Sequence, residues 1–236
     1  MAEWIVSAAG PGGVPLSLVY LELVLALTLL STGLGFRRLT ETRDDLRAAR
    51  LYFAAVFVLF LALPIGLVLA TAADPGATLA GFGWAAPKPG WGLSFMPLLV
   101  PVAVLSGLSG ARDPAMRRVY PLAASACDRR RRFAGYELSY VLLYYLPWES
   151  VFRGALFFPL VPAVGLVPAL AVQTAVATLL HIGHPDKEIV AAALSGPLFG
   201  LLAYSTGSFL CPLVLHATAG VVADTALCRR RRRESR

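Results

Sequence analysis

Seven stretches of about 20 residues, nearly free of charge, constrain this chain more than any other feature. A run of that length crosses a hydrocarbon core of roughly 30 Å as a helix. Lipid offers no partners for backbone N–H and C=O groups, so a spanning segment must satisfy its own. The stretches are residues 14–36, 51–73, 91–109, 136–159, 161–184, 188–205 and 208–228. With 57% of its 236 residues hydrophobic and only 15% charged, the chain does not fit a soluble domain. The expected fold class is all-α: a polytopic membrane helix bundle of about seven transmembrane helices, six at the fewest and eight at the most, forming one integral-membrane domain over residues 1–236. Pro97 and Pro101 interrupt the third stretch. The N-terminus lacks the basic region of a signal peptide, so the first stretch is expected to stay as a membrane anchor.

Arginines set the orientation. Arg37, Arg38, Arg43, Arg47 and Arg50 separate the first two stretches, and Arg112, Arg117, Arg118 and Arg129 to Arg132 separate the third and fourth. Arg229 to Arg233 and Arg236 form a basic tail over residues 229–236. Basic loops stay on the cytoplasmic side, which places the N-terminus outside, the C-terminus in the cytoplasm and the chain as a multi-pass protein of the cell membrane. The net charge of +7 then reflects topology and attraction to anionic lipid headgroups in the bilayer, its expected partner, with no nucleic acid involved. Cys127, Cys211 and Cys228 show no metal-type spacing and no disulfide framework. Cys127 and Cys228 abut basic runs, a setting compatible with acylation, but unmodified thiols are the expectation.

Charge inside the apolar stretches costs roughly 2.5–3.5 kcal/mol per residue even on insertion scales, so it usually faces the bundle interior and marks function. In PWESVFRG, Glu149 and Arg153 lie four apart with Tyr145 on the same helix face. On the fifth stretch Thr174, Thr178 and His181 form a polar stripe, followed by HIGHPDKE, in which His184 is expected at the membrane surface and Glu188 turns back toward His181. On the seventh, His216, Gly220 and Asp224 share a face. Pro147 and Pro212 are expected to loosen helices near Glu149 and His216. Ala192, Gly196 and Gly200 make a small-residue stripe for close helix packing. Glu22 is an isolated acid without an assigned role.

One carboxylate and two histidines on three helices can hydrolyse a bond in two ways. Glu149 can deprotonate water while a neutral histidine positions it and a donor stabilises an oxyanion. Alternatively Glu149, His181 and His216 can hold a divalent metal such as zinc that activates the water, although the chain has no HExxH. Intramembrane Glu, His and Asp also mark ion pathways, so a small transporter or proton relay is a further class.

At these residues the chain resembles the CAAX protease and bacteriocin-processing family, which includes the type II CAAX prenyl endopeptidases. That family carries EExxxR, FxxxH and HxxxN motifs on successive membrane helices. Glu149 and Arg153 match the second glutamate and the arginine of the first motif, His181 the histidine of the second and His216 that of the third. The resemblance covers residues 136–227. It implies an intramembrane endopeptidase acting on a peptide or membrane-protein substrate, with Glu149, His181, His216 and Arg153 as catalytic candidates and Glu188 and Asp224 as secondary ones. Trp148 stands in place of the family's first glutamate, Ala177 in place of its phenylalanine, and Gly220 in place of its oxyanion-supporting asparagine. The combination WExxxRG, HxGxPxxE and a late aspartate marks a divergent branch, with a catalytically degenerate scaffold, immunity or regulatory protein as the alternative function.

Overall fold

The computed structural model describes residues 44–234. The first apolar stretch, Glu22, Arg37, Arg38, Arg43 and Arg236 lie outside the described residues. Those described fold into helices α1 (Asp45–Thr71), α2 (Pro75–Gly81), α3 (Trp91–Gly110), α4 (Pro114–Val119), α5 (130–155), α6 (Phe157–Val164), α7 (Leu166–Leu179), α8 (Asp186–Thr206) and α9 (Leu210–Glu234). The protein is all-helical among these residues. Helices α1, α3, α8 and α9 are each long and apolar enough to cross a membrane.

Local chemistry explains the breaks. Asp44, Asp74 and Asp113 accept hydrogen bonds from the first-turn amides of α1, α2 and α4, the usual use of an aspartate at a helix start. Gly207, in the left-handed conformation at φ 63°, ends α8. The fifth apolar stretch is not one span: Gly165 at φ 89° splits it into α6 and α7. Helix α7 has 14 residues and reaches only about 21 Å at 1.5 Å per residue. Helix α3 runs unbroken past Pro97 and Pro101.

Helix α5 is the axis of the molecule. From Pro147 to Phe157 every residue is buried. Tyr136, Tyr140 and Tyr144 recur every four residues along it and pack around Phe53 of α1, with ring centroids 4.5 to 6.0 Å apart. Trp148 and Phe152 continue the row against Phe60, seven residues further along α1. Pro147 has no N–H to give to the carbonyl four residues back. The helix widens just before it, so that the Leu146 amide donates to the Val141 carbonyl five residues back, and it widens again over Ser150–Ala155. Such π-turns collect at functional positions. Pro212, by contrast, lies in the first turn of α9, where a missing N–H costs nothing.

The outer helices close on this axis through small residues. A Cβ at Gly196 or Gly200 of α8 would press into Thr174, or into Leu170 and Gln173, of α7, and Gln173 donates to the Gly196 carbonyl at 2.8 Å. Gly107 of α3 meets the Ala219 carbonyl of α9 in the same way. Cys127 and Cys228 form a disulfide across 101 residues, contrary to the expected free thiols. The 3-10 turn Ala124–Asp128 packs on the end of α9, which brings together two cysteines that sequence spacing cannot relate. Thiol titration of unreduced, denatured protein should therefore count one cysteine, the buried Cys211, and three after reduction. Three without reductant would contradict the pairing.

Candidate active site

Glu149 and Arg153 stand one turn apart on the enclosed side of α5, and both are buried. The Glu149 carboxylate lies between two cations or donors: Arg153 Nε is 3.3 Å from Oε2, and His216 Nδ1 of α9 is 2.6 Å from Oε1. The arginine's guanidinium carbon also sits 5.3 Å over the Phe199 ring of α8, a cation–π contact that offsets part of its desolvation. Gly154 completes the motif for a packing reason, since a Cβ there would strike the Phe82 carbonyl of the preceding loop.

The short contact to a carboxylate sets the state of His216. Nδ1 carries the hydrogen that Glu149 accepts, which leaves Nε2 as the ring nitrogen turned away from the carboxylate. His216 retains 25% of its side-chain exposure while Glu149 has none. The imidazole, not the carboxylate, is therefore the group that can meet water. Tyr145 packs edge-on against His216 at 4.7 Å, and its hydroxyl occupies the space that any side chain at position 220 would need. Gly220 is thus the complement of Tyr145: the α5 phenol fills the room left on α9.

His181 does not join that pair directly. Its Nδ1 lies 2.8 Å from the Ala177 carbonyl and donates to it, and its Nε2 turns to Glu188 Oε1 at 3.8 Å. The Trp148 ring stands edge-on to His181 at 5.4 Å. Glu188 does turn back toward His181, but its closest partners were not evident in the sequence. Tyr120 donates to the carboxylate, 2.8 Å from both oxygens, and His184 Nδ1 is 3.0 Å from Oε1. His184 is consequently a partner of Glu188, its side chain 7% exposed. Burial, reinforced by the Glu188 charge, holds the Tyr120 phenol well above its usual range, so it stays a donor. The i, i+4 spacing of His184 and Glu188 could have signalled their contact, whereas nothing near Tyr120 did. Asp224 lies apart from His216, buried, with Oδ2 3.4 Å from the Tyr136 hydroxyl.

The donor set does not fit a zinc ion. Arg153 and His216 already engage Glu149, and His181 faces Glu188 instead. Among the described residues no group of three or more His, Cys, Asp or Glu is arranged to hold a metal. The charge that a metal would bring next to Glu149 is supplied by the Arg153 guanidinium.

Replacing Tyr120 by phenylalanine removes a charge-assisted hydrogen bond from Glu188. The expected result is a loss of about 1.5–3 kcal/mol of stability in thermal unfolding. An unchanged midpoint would show that the phenol contributes nothing.

Residues 135–222 match the family model described as type II CAAX prenyl endopeptidase Rce1-like. Neither a curated protein nor a solved structure matches the chain. Glu149, Arg153, His181 and His216 all lie within the matched segment, on α5, in the turn between α7 and α8, and on α9, among helices of which four are long and apolar enough to cross a membrane. Over residues 135–222 the chain is therefore similar to the type II CAAX prenyl endopeptidases of the CAAX protease and bacteriocin-processing family.

Proposed function

We propose that this protein is an intramembrane endopeptidase that hydrolyses a peptide bond in a membrane-associated substrate, with His216 as the base that activates water. It is a multi-pass protein of the cell membrane with its arginine-rich loops and C-terminal tail in the cytoplasm. The observation that carries this reading is the 2.6 Å contact between His216 Nδ1 and the enclosed Glu149 carboxylate, inside the segment that matches the family.

A carboxylate behind one imidazole nitrogen orients the ring and stabilises the imidazolium that forms when the other nitrogen takes a proton. Water held at Nε2 gives its proton to His216 as its oxygen bonds to the scissile carbonyl carbon. The carbonyl π pair moves onto oxygen, and the Tyr145 hydroxyl, beside His216, is placed to donate to that oxyanion. Arg153, with Nε 3.3 Å from Oε2, holds the Glu149 carboxylate in place throughout. The intermediate collapses with cleavage of the C–N bond, and the imidazolium returns its proton to the leaving amine. His181, beside Trp148 and facing Glu188, positions the substrate backbone through its Nε2 lone pair, a role distinct from activating water.

The test is a proteoliposome carrying a library of membrane-anchored peptides, with new N-termini read by mass spectrometry. Wild-type protein should generate a reproducible set of termini that His216→Ala abolishes. Termini produced equally by both proteins would overturn the assignment. No termini from either, together with a membrane partner whose binding survives Glu149→Gln, would favour the non-catalytic scaffold.

A further inference from the structure

At the end of the bundle that bears the disulfide, a cavity opens between α4 and the last turns of α9, lined by Arg117, Arg230, Arg231, Glu234 and Leu227. Its charges are unequally matched. Arg230 Nε is tied to Glu234 at 2.7 Å. Arg117 instead donates from Nη2 to the Arg112 carbonyl at 2.9 Å and from Nε to the Asp113 carbonyl at 3.4 Å, and Arg231 Nη2 donates to the Arg117 carbonyl at 3.4 Å. Carbonyl oxygens hold a guanidinium in place without neutralising it. Among the described residues neither Arg117 nor Arg231 forms an ion pair with a carboxylate, so two fixed positive charges converge on one cavity.

One apolar residue, Leu227, completes the charged wall of this cavity. Leu227 is buried, and α3, which packs along α9 and ends at Gly110 just before Arg112 and Arg117, presents Leu105 and Leu108 exposed. A guanidinium pair at the end of a helix pair whose α3 member exposes leucines matches a ligand with an anionic head and a hydrocarbon body. Guanidinium forks recognise phosphate oxygens in a directional, bidentate way, and basic pockets at the ends of transmembrane helices hold anionic headgroups.

We infer that Arg117 and Arg231 form a specific binding site for the phosphate headgroup of an anionic phospholipid, built where α4 meets the end of α9. The lipid bridges two elements that are far apart in sequence, on the side of the molecule where α5 also begins with Arg130 to Arg132. This site is separate from the Glu149–His216 pair and does not depend on it.

Native mass spectrometry of the purified full chain tests the inference, using phosphatidylglycerol and phosphatidylcholine as probes in the same detergent. Wild-type protein should retain one phosphatidylglycerol and no comparable phosphatidylcholine. Arg117→Gln/Arg231→Gln should weaken retention roughly tenfold or more, given about 1 kcal/mol per arginine near an anionic headgroup. Arg229→Gln/Arg233→Gln removes the same formal charge from the same region outside the cavity, and should leave retention within about threefold of wild type. Equal weakening by the two double variants would overturn the site in favour of a diffuse basic surface, and so would equal retention of phosphatidylcholine. Inorganic phosphate is added to distinguish the sources: full displacement of the lipid at millimolar phosphate would contradict a headgroup site and indicate a free-phosphate site. Unfolding midpoints of both variants equal to wild type exclude misfolding as the cause of any loss.

Discussion

Glu149→Gln should destabilise the protein and silence it at once. The substitution keeps the shape of the side chain but removes the negative charge that compensates Arg153, which is 3% exposed. Removing one partner of a buried pair typically costs about 3–5 kcal/mol because the other charge is left uncompensated. Thermal unfolding in detergent reads that loss. Cleavage should fall by about 10²–10⁴, since the amide no longer stabilises the imidazolium of His216. Arg153→Met should be destabilising too, because it strands the carboxylate and removes the cation from the face of Phe199. A variant Glu149→Gln as stable as the wild type would mean that the pair is not desolvated in the way the burial of both residues indicates.

Trp148→Glu, which restores the family's first glutamate, should break the fold and create no activity. Trp148 is 4% exposed and packs on Tyr144, Phe152 and Phe60 with ring centroids at 5.6, 4.7 and 6.0 Å, and edge-on to His181. Losing a buried tryptophan costs about 3–5 kcal/mol. The new carboxylate would also be placed beside Glu149 with no cation of its own, adding an unpaired buried charge. Position 148 is part of the core here, and in the proposed mechanism activation of water passes to the imidazole of His216. A Trp148→Glu protein with native stability and raised turnover would refute that division of roles.

How much of this was legible in the sequence depends on distance along the chain. Glu149 and Arg153 are one turn apart, so helical periodicity alone puts them on one face, and their ion pair follows. That Gly196 and Gly200 meet a closely packed helix was readable for the same reason, although that the helix is α7 was not. The tie between Glu149 and His216 spans 67 residues and came only from the resemblance of motifs. Tyr145 and Gly220 were each visible as members of a polar face, but their complementarity was not, because it depends on how closely α5 and α9 approach. The same limit hid Tyr120 behind Glu188 and Cys127 beside Cys228. Continuous hydropathy also misled at Gly165: a glycine followed closely by Pro168 leaves the stretch apolar while permitting the positive φ that splits it into two shorter helices.

The central claim is that Glu149 serves chemistry beyond balancing Arg153, and Glu149→Gln/Arg153→Met isolates it. Removing both charges together replaces the buried pair by groups of similar volume, which is often neutral for stability or better. The decisive quantity is the cleavage rate of this double variant in proteoliposomes at a folded fraction matched to wild type. The predicted result is recovered stability with a rate below about one hundredth of wild type. A double variant that is stable and cleaves within about threefold of wild type would contradict the account, because Glu149 would then be a structural counter-ion and His216 would work without it.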